Sequence, residues 1–190
     1  MRKSIFLLAL FLAGCASFFS PVGPGDVKIK DMTVTVNTAW NRFDMSATDS
    51  GEMWTADGLP LDNLWFYAGV ANGEMLRKTV ESRKKALPKF QAGMAPSEVV
   101  ELMESYITAD GSTFTLDKLA PVTFGAMPGF RFDFRTRRKH DELELRGVGF
   151  ATIHSEKLYM MVYTAPSTHY FQKNLRQIES MANSLSIKKQ

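Results

Sequence analysis

The sequence predicts an α+β domain, a largely antiparallel β-sheet flanked by helices. Three observations carry this. Segments rich in β-forming residues and bounded by turn signals dominate the chain after Lys28, two stretches read as long hairpins, and two others repeat apolar residues at helical spacing. With 190 residues, 45% of them hydrophobic and 14 of them Phe, the chain can build a packed interior and is unlike a disordered one. No internal repeat with a period of about 20 to 50 residues is visible.

In chain order, "IKDMTVTVN" is the first β-rich run, followed by "EMWTADG" and "NLWFYAGV" with Asp57-Gly58 as the turn signal between them. "TVESRKKAL" is a candidate short helix with a thin apolar stripe. "APSEVVELMESYI" places Val99, Leu102, Met103, Tyr106 and Ile107 at helical spacing, with Pro96 near its start and Asp110-Gly111 past its end. "GFRFDFRTR" then alternates strictly. A turn across residues 138–141 puts Phe134 opposite Leu145, Arg137 opposite Glu142, Arg135 opposite Glu144 and Asp133 opposite Arg146, so every charged pair is opposite in sign. Such pairs contribute roughly 0.2 to 1 kcal/mol each and help set register. The pairing favours a structural role for Arg131, Arg135, Arg137, Arg138 and Lys139 over an anion site. A second hairpin turns at "HSEK" and brings "GVGFATI" beside "LYMMVYTA". The last helix, in "PSTHYFQKNLRQIESMANSL", carries Phe171, Leu175, Ile178, Ala182 and Leu185 on one stripe, with Ser167 and Thr168 as capping candidates.

The N-terminus addresses location. Arg2 and Lys3 precede the apolar "SIFLLALFLA", then Ala13, Gly14 and the chain's single cysteine, Cys15. One cysteine excludes an intramolecular disulfide and any metal site built of several thiolates. The apolar run is that of a secretory signal, too short to span a bilayer. Leu12-Ala13-Gly14-Cys15 resembles the bacterial lipobox. The resemblance implies cleavage before Cys15, a diacylglyceryl group on its sulfur and an acyl chain such as palmitate on its amine, a lipid anchor to the membrane. Residues 1–14 are then a lipoprotein signal peptide, 15–26 a lipidated tether and 27–190 one domain. The tether is inferred from "ASFFSPVGPGD", whose Ser, two Pro and two Gly disfavour helix and strand; Phe18 and Phe19 fit either the tether or the lipid interface. By the enterobacterial sorting pattern of the lipoproteins the chain resembles, Ala16 after the cysteine, where Asp would retain the protein at the inner membrane, implies the periplasmic face of the outer membrane. Loss of Arg2 and Lys3 from a chain with 23 basic and 20 acidic residues brings the mature charge near neutral, so no nucleic acid partner is expected.

The order of elements, with "GFRFDFR" and the long "LRGVGFATIHSEKLYMMVYTAP" hairpin before a final helix, resembles the PsbP and Mog-type α/β/α sandwich over residues 27 to 187. It is also similar to small proteobacterial lipoproteins with "WTADGLPLDNL" and "GVANGE"-like segments. Members of that fold are mostly accessory or binding proteins. The resemblance therefore implies a monomeric, non-catalytic binding or assembly module that meets another envelope protein.

No H-E-x-x-H, G-x-S-x-G or phosphate-cradling glycine loop occurs, and no metal or cofactor is expected. His140, His154 and His169 fall at turns or a helix start. The segment 54–74 joins Trp54, Trp65, Phe66 and Tyr67 with Asp57 and Asp62. Two acids five apart on a loop suit a small ligand or a divalent cation, with the aromatics as a wall and Arg131 as counter-charge. The same residues suit structural roles, which are favoured: Asp57 in the turn, Asp62 closing the loop, the aromatics in the core. The alternative function is a ligand-handling enzyme or hydrolase whose acids and histidines meet only on folding.

Overall fold

A computed structural model describes residues 18–48, 51–77 and 86–188. Cys15 and the lipobox lie outside the described residues, as does nearly all of "TVESRKKAL". The strands are β1 (Phe19–Val22), β2 (Gly25–Ile29), β3 (Met32–Val36), β4 (Trp40–Thr48), β5 (Gly51–Thr55) and β6 (Asn63–Val70), then β7 (Thr113–Phe124), β8 (Met127–Arg137), β9 (Glu144–His154), β10 (Lys157–Pro166) and β11 (Ser186–Ile187). The helices are α1 (Pro96–Ile107) and α2 (Tyr170–Ser184). Eight strands form one antiparallel sheet in the order β1-β4-β5-β6-β10-β9-β8-β7, and β11-β3-β2 form a second. The fold class is α+β, as the alternation predicts.

Period-two alternation assigns each large side chain to a face of the main sheet. Leu64, Phe66, Tyr159, Met161, Tyr163, Val148 and Phe150 join a core closed by α2 and the small sheet. Tyr67, Met160, Val162, Phe130, Phe132 and Phe134 join a second core closed by α1. Both faces of β10 are covered, which explains its nearly unbroken apolar run. α1 buries Val99, Leu102, Met103 and Tyr106 as the spacing predicts. Glu98 accepts the Ala95 N–H at its start at 2.7 Å. α2 buries Phe171, Ile178 and Ala182, together with Asn174 and Met181. Its N-cap is His169, without a side-chain cap bond, so neither Ser167 nor Thr168 has the expected role.

The "HSEK" hairpin forms as predicted, with His154 opposite Lys157 and both turn residues, Ser155 and Glu156, at positive φ. The β8–β9 hairpin does not have the predicted register. Arg137 stands opposite Glu144, Thr136 opposite Leu145, Arg135 opposite Arg146 and Phe134 opposite Gly147. The strands are two residues out from the all-opposite-charge pairing, and ring volume explains why. A Cβ on Gly147 would lie 2.1 Å from Phe134 Cζ and one on Gly149 2.0 Å from Phe132 Cζ, so each ring needs a glycine beneath it. The all-opposite-charge register would set Phe134 against Leu145 in place of Gly147, and overpacking at about 1 to 3 kcal/mol outweighs exposed charge pairs at about 0.2 to 1 kcal/mol. The charges find other partners. Arg137 still reaches Glu142 at 2.8 Å, while Arg135 pairs with Asp117 and Asp133 with Arg131. The register shifts between Leu116 and Lys118, around Asp117.

Residues 19–26 correct a second expectation. They hold β1 and the start of β2, not an irregular tether: Phe19 pairs with Phe43 and Pro21 with Asn41, and Ser20 Oγ donates to the Asp44 carboxylate at 2.8 Å. β1 is an edge strand, where proline is tolerated because one side of the backbone needs no ladder bonds.

Candidate functional site

The β5–β6 loop holds the two acids singled out by sequence, and both have structural partners. Asp62, 1% exposed, accepts the Thr55 hydroxyl at 2.6 Å and the backbone N–H groups of Ala56 and Asp57 at 3.0 and 2.8 Å. Those three donors close the loop around a carboxylate. Asp57 points to α2, where it pairs with Lys173 and accepts from Asn174 Nδ2 at 3.2 Å; Asn174 also reaches the Tyr163 hydroxyl at 3.2 Å. The hydrogen bond to Asp57 raises the pKa of Lys173. Trp54 is buried and donates its indole N–H to Glu52 at 2.7 Å, the same oxygen that Arg42 reaches at 3.0 Å. Arg131 does not serve as counter-charge to the loop acids; it is bonded to Asp133 and Glu179.

The structure therefore divides the residues grouped by sequence. Trp54 belongs to the core beneath α2, whereas Trp65 and Tyr67 lie on the opposite face. On that face Trp65 and Tyr67 stack with ring centroids 5.9 Å apart, and Arg77 joins them. The Arg77 guanidinium carbon lies 4.8 Å from the Trp65 ring centroid and 5.8 Å from that of Tyr106, while Nη1 donates to the Tyr67 hydroxyl at 2.6 Å.

Tyr106 secures the segment that carries Arg77. Its hydroxyl accepts the Leu76 N–H at 3.2 Å and donates to the Pro88 carbonyl at 3.0 Å. Reciprocal backbone bonds, Gly73 N–H to Phe90 O and Phe90 N–H to Glu74 O, each 2.8 Å, tie the same two chain segments together. Burial raises the pKa of both Tyr67 and Tyr106 and opposes their ionisation, partly offset by the neighbouring Arg77 charge.

Beside this cluster lies a cleft of about 270 Å³. Trp65, Met103, Ile107 and Val162 form its apolar wall. Ser112, Thr136 and Thr164 contribute hydroxyls, and the charged groups are Arg77, Arg138 and Asp110. Arg138 is already paired with Asp141 at 2.7 Å, and Asp110 accepts the Ser112 N–H at 2.8 Å. The sequence pointed to Trp65 and Tyr67 but missed Arg77, Tyr106 and Arg138, which reach the same place from other segments. The available signal was the pair Trp65 and Tyr67 at i, i+2, a spacing that puts two aromatics on one face of a strand.

The three histidines sit on separate segments. His140 is in the β8–β9 connection, His154 ends β9 and His169 caps α2, all exposed. Among the described residues no group of three or more His, Cys, Asp and Glu side chains is placed to hold a metal ion.

Cyanobacterial PsbP (CyanoP) from Synechocystis sp. PCC 6803 superposes with a TM-score of 0.56, at 10% identity, over 93% of this chain and 98% of that one. The fold is PsbP-like. Looser matches include the immunity protein TplEi of T6SS from Pseudomonas aeruginosa, with TM-score 0.42 and 11% identity over 90% of this chain and 54% of that one. Another is LpqN, involved in cell envelope biogenesis of Mycobacterium tuberculosis, with TM-score 0.39 and 7% identity over 92% and 87% of the respective chains. No protein-family model matches the chain, and a search of curated proteins found no match.

Proposed function

We propose that the chain is a lipid-anchored protein of the cell envelope, held through Cys15, whose PsbP-like domain is a non-catalytic binding or assembly module. The observation that carries the binding role is the cleft beside Trp65, where Arg77 is held near the Trp65 and Tyr106 rings and hydrogen-bonded to Tyr67. A guanidinium so held is organised for recognition before any ligand arrives. The titratable groups lining the cleft support recognition over catalysis: they include one carboxylate, Asp110, and no histidine. PsbP-like domains are mostly accessory or binding proteins, which adds a prior from fold alone.

Anchoring is supported by the lipobox-like residues 12–15 and by β1 beginning at Phe19. Between Cys15 and Phe19 the chain reaches at most about 14 Å, so the domain would sit close to the lipid surface. Phe18, 57% exposed, would face that surface. Among the described residues no helix is long and apolar enough to cross a membrane.

The test is expression of the full chain and its Cys15→Ser variant in a diderm bacterium, followed by membrane fractionation and mass spectrometry of the N-terminal peptide. The wild type is expected in the outer-membrane fraction with a lipid-modified Cys15, and the variant is expected to leave it. An unmodified Met1 at the mature N-terminus would refute the anchor. Crosslinking of the anchored protein is expected to capture an envelope protein reproducibly, and capture unaffected by filling the cleft with Val162→Trp would refute its role.

A further inference from the structure

We propose that the cleft beside Trp65 recognises a carboxylate, with Arg77 binding a small ligand that carries one carboxylate on an apolar body. This deepens the binding-module proposal and rests on it.

The first observation is a partly buried guanidinium with no carboxylate partner among the described residues. Arg42, Arg131 and Arg138, the other partly buried arginines among the described residues, each have a carboxylate partner at 2.7 to 3.0 Å, whereas the exposed Arg146 and Arg176 have none there. Arg77 is partly buried, and the ion pairs among the described residues include none to it. Among the described residues its hydrogen-bond acceptor is the Tyr67 hydroxyl, at 2.6 Å. A guanidinium has five N–H donors in a rigid plane, more than the Tyr67 hydroxyl alone uses. Such a planar fork fits the two oxygens of a carboxylate.

The second observation is what surrounds it. The volume of about 270 Å³ lies just below the roughly 300 to 1,000 Å³ of pockets for drug-sized ligands, so the occupant is small. Trp65, Met103 and Val162 offer it an apolar wall, and the Thr136 and Thr164 side chains line the same cleft. Asp110 contributes a negative charge, which disfavours a dianion such as a phosphate monoester and sets the limit at one carboxylate.

The test uses the full chain. Isothermal titration with 3-phenylpropionate and with 3-phenylpropionamide is read beside indole fluorescence, to which Trp65 contributes from the cleft while Trp40 and Trp54 are buried. Saturable binding of the acid is expected, at least about tenfold tighter than the amide. In Arg77→Gln that preference should vanish, with the far-ultraviolet circular dichroism unchanged. If Arg77→Gln does not fold, Arg77→Lys carries the test, since an ammonium keeps the charge but loses the planar fork. A tripeptide ending in phenylalanine, free or amidated, separates a chain terminus from a free small acid as the source of the carboxylate. Equal affinity for acid and amide, tighter binding of phenyl phosphate, or an acid affinity unchanged in Arg77→Gln overturns the assignment. If the acid fails while partner crosslinking at the cleft persists, the ligand class falls alone. Failure of both removes the binding-module proposal as well.

Discussion

Tyr159 on β10 donates its hydroxyl proton to Asp31 Oδ2 at 2.7 Å across 128 residues of sequence, tying the main sheet to the β2–β3 turn of the small one. Among the described residues the other Asp31 carboxylate oxygen is buried with no hydrogen-bond partner, so the Tyr159 hydroxyl is the side-chain donor that this carboxylate has there. Tyr159→Phe is therefore expected to destabilise the fold by about 1 to 3 kcal/mol, seen as a lower urea midpoint. Adding Asp31→Asn should cost less than the sum of the two single changes, because the residues share one interaction. Strict additivity would show that the bond does not couple the two sheets.

The β5–β6 loop allows a direct contrast between its two acids. Asp62→Ala orphans two backbone N–H groups and the Thr55 hydroxyl, with an expected loss of about 2 to 4 kcal/mol. Asp57→Ala breaks an ion pair whose lysine is 46% exposed and one hydrogen bond from Asn174, which keeps the Tyr163 hydroxyl as a partner, and should cost less than Asp62→Ala. Thermal unfolding of the two variants distinguishes them. Equal losses would contradict the structural role assigned to Asp62.

Gly149→Ala places a methyl group into the space of the Phe132 ring and is expected to destabilise by about 1 to 3 kcal/mol. Combining it with Phe132→Leu should recover part of that loss, since the smaller side chain vacates the contact. A tolerated Gly149→Ala, with unchanged melting temperature, would argue against the β8–β9 register described above.

Stability should also fall in alkali. Burial holds the pKa of Tyr67, Tyr106, Tyr159 and Tyr163 above the ordinary value near 10, and the Asp31 charge pushes Tyr159 further in the same direction. For a group whose pKa is raised on folding, the stabilising contribution is complete below the unfolded value and is lost as pH climbs towards the folded one. Denaturant midpoints should therefore not vary with pH through the ionisation of these tyrosines near neutrality and should decline above about pH 10. Tyr159→Phe should show a shallower decline than the wild type.

Local periodicity made much of the fold legible. α1, α2, the "HSEK" turn and the paired aromatic strands follow from spacings of 3.6 and 2 residues and from turn chemistry. β1 escaped because Pro21 hid an edge strand, and β7 because its mostly exposed side chains leave no alternation to read. The β8–β9 register escaped for a different reason. A slip of two residues leaves every side chain on its own face, so alternation cannot detect it, and the rings over Gly147 and Gly149 decide it.

The cleft shows the same division. By itself the sequence determined the α+β class, the aromatic pair Trp65 and Tyr67, and the lipobox-like N-terminus, because each is written in neighbouring residues. Only the tertiary structure decided that Asp57 and Asp62 are bound within the fold, that Trp54 is separated from Trp65 by the sheet, and that Arg77 meets Tyr106 from another segment. Those relationships depend on which distant surfaces come together when apolar area is buried, a condition that the whole chain satisfies jointly and no local pattern encodes.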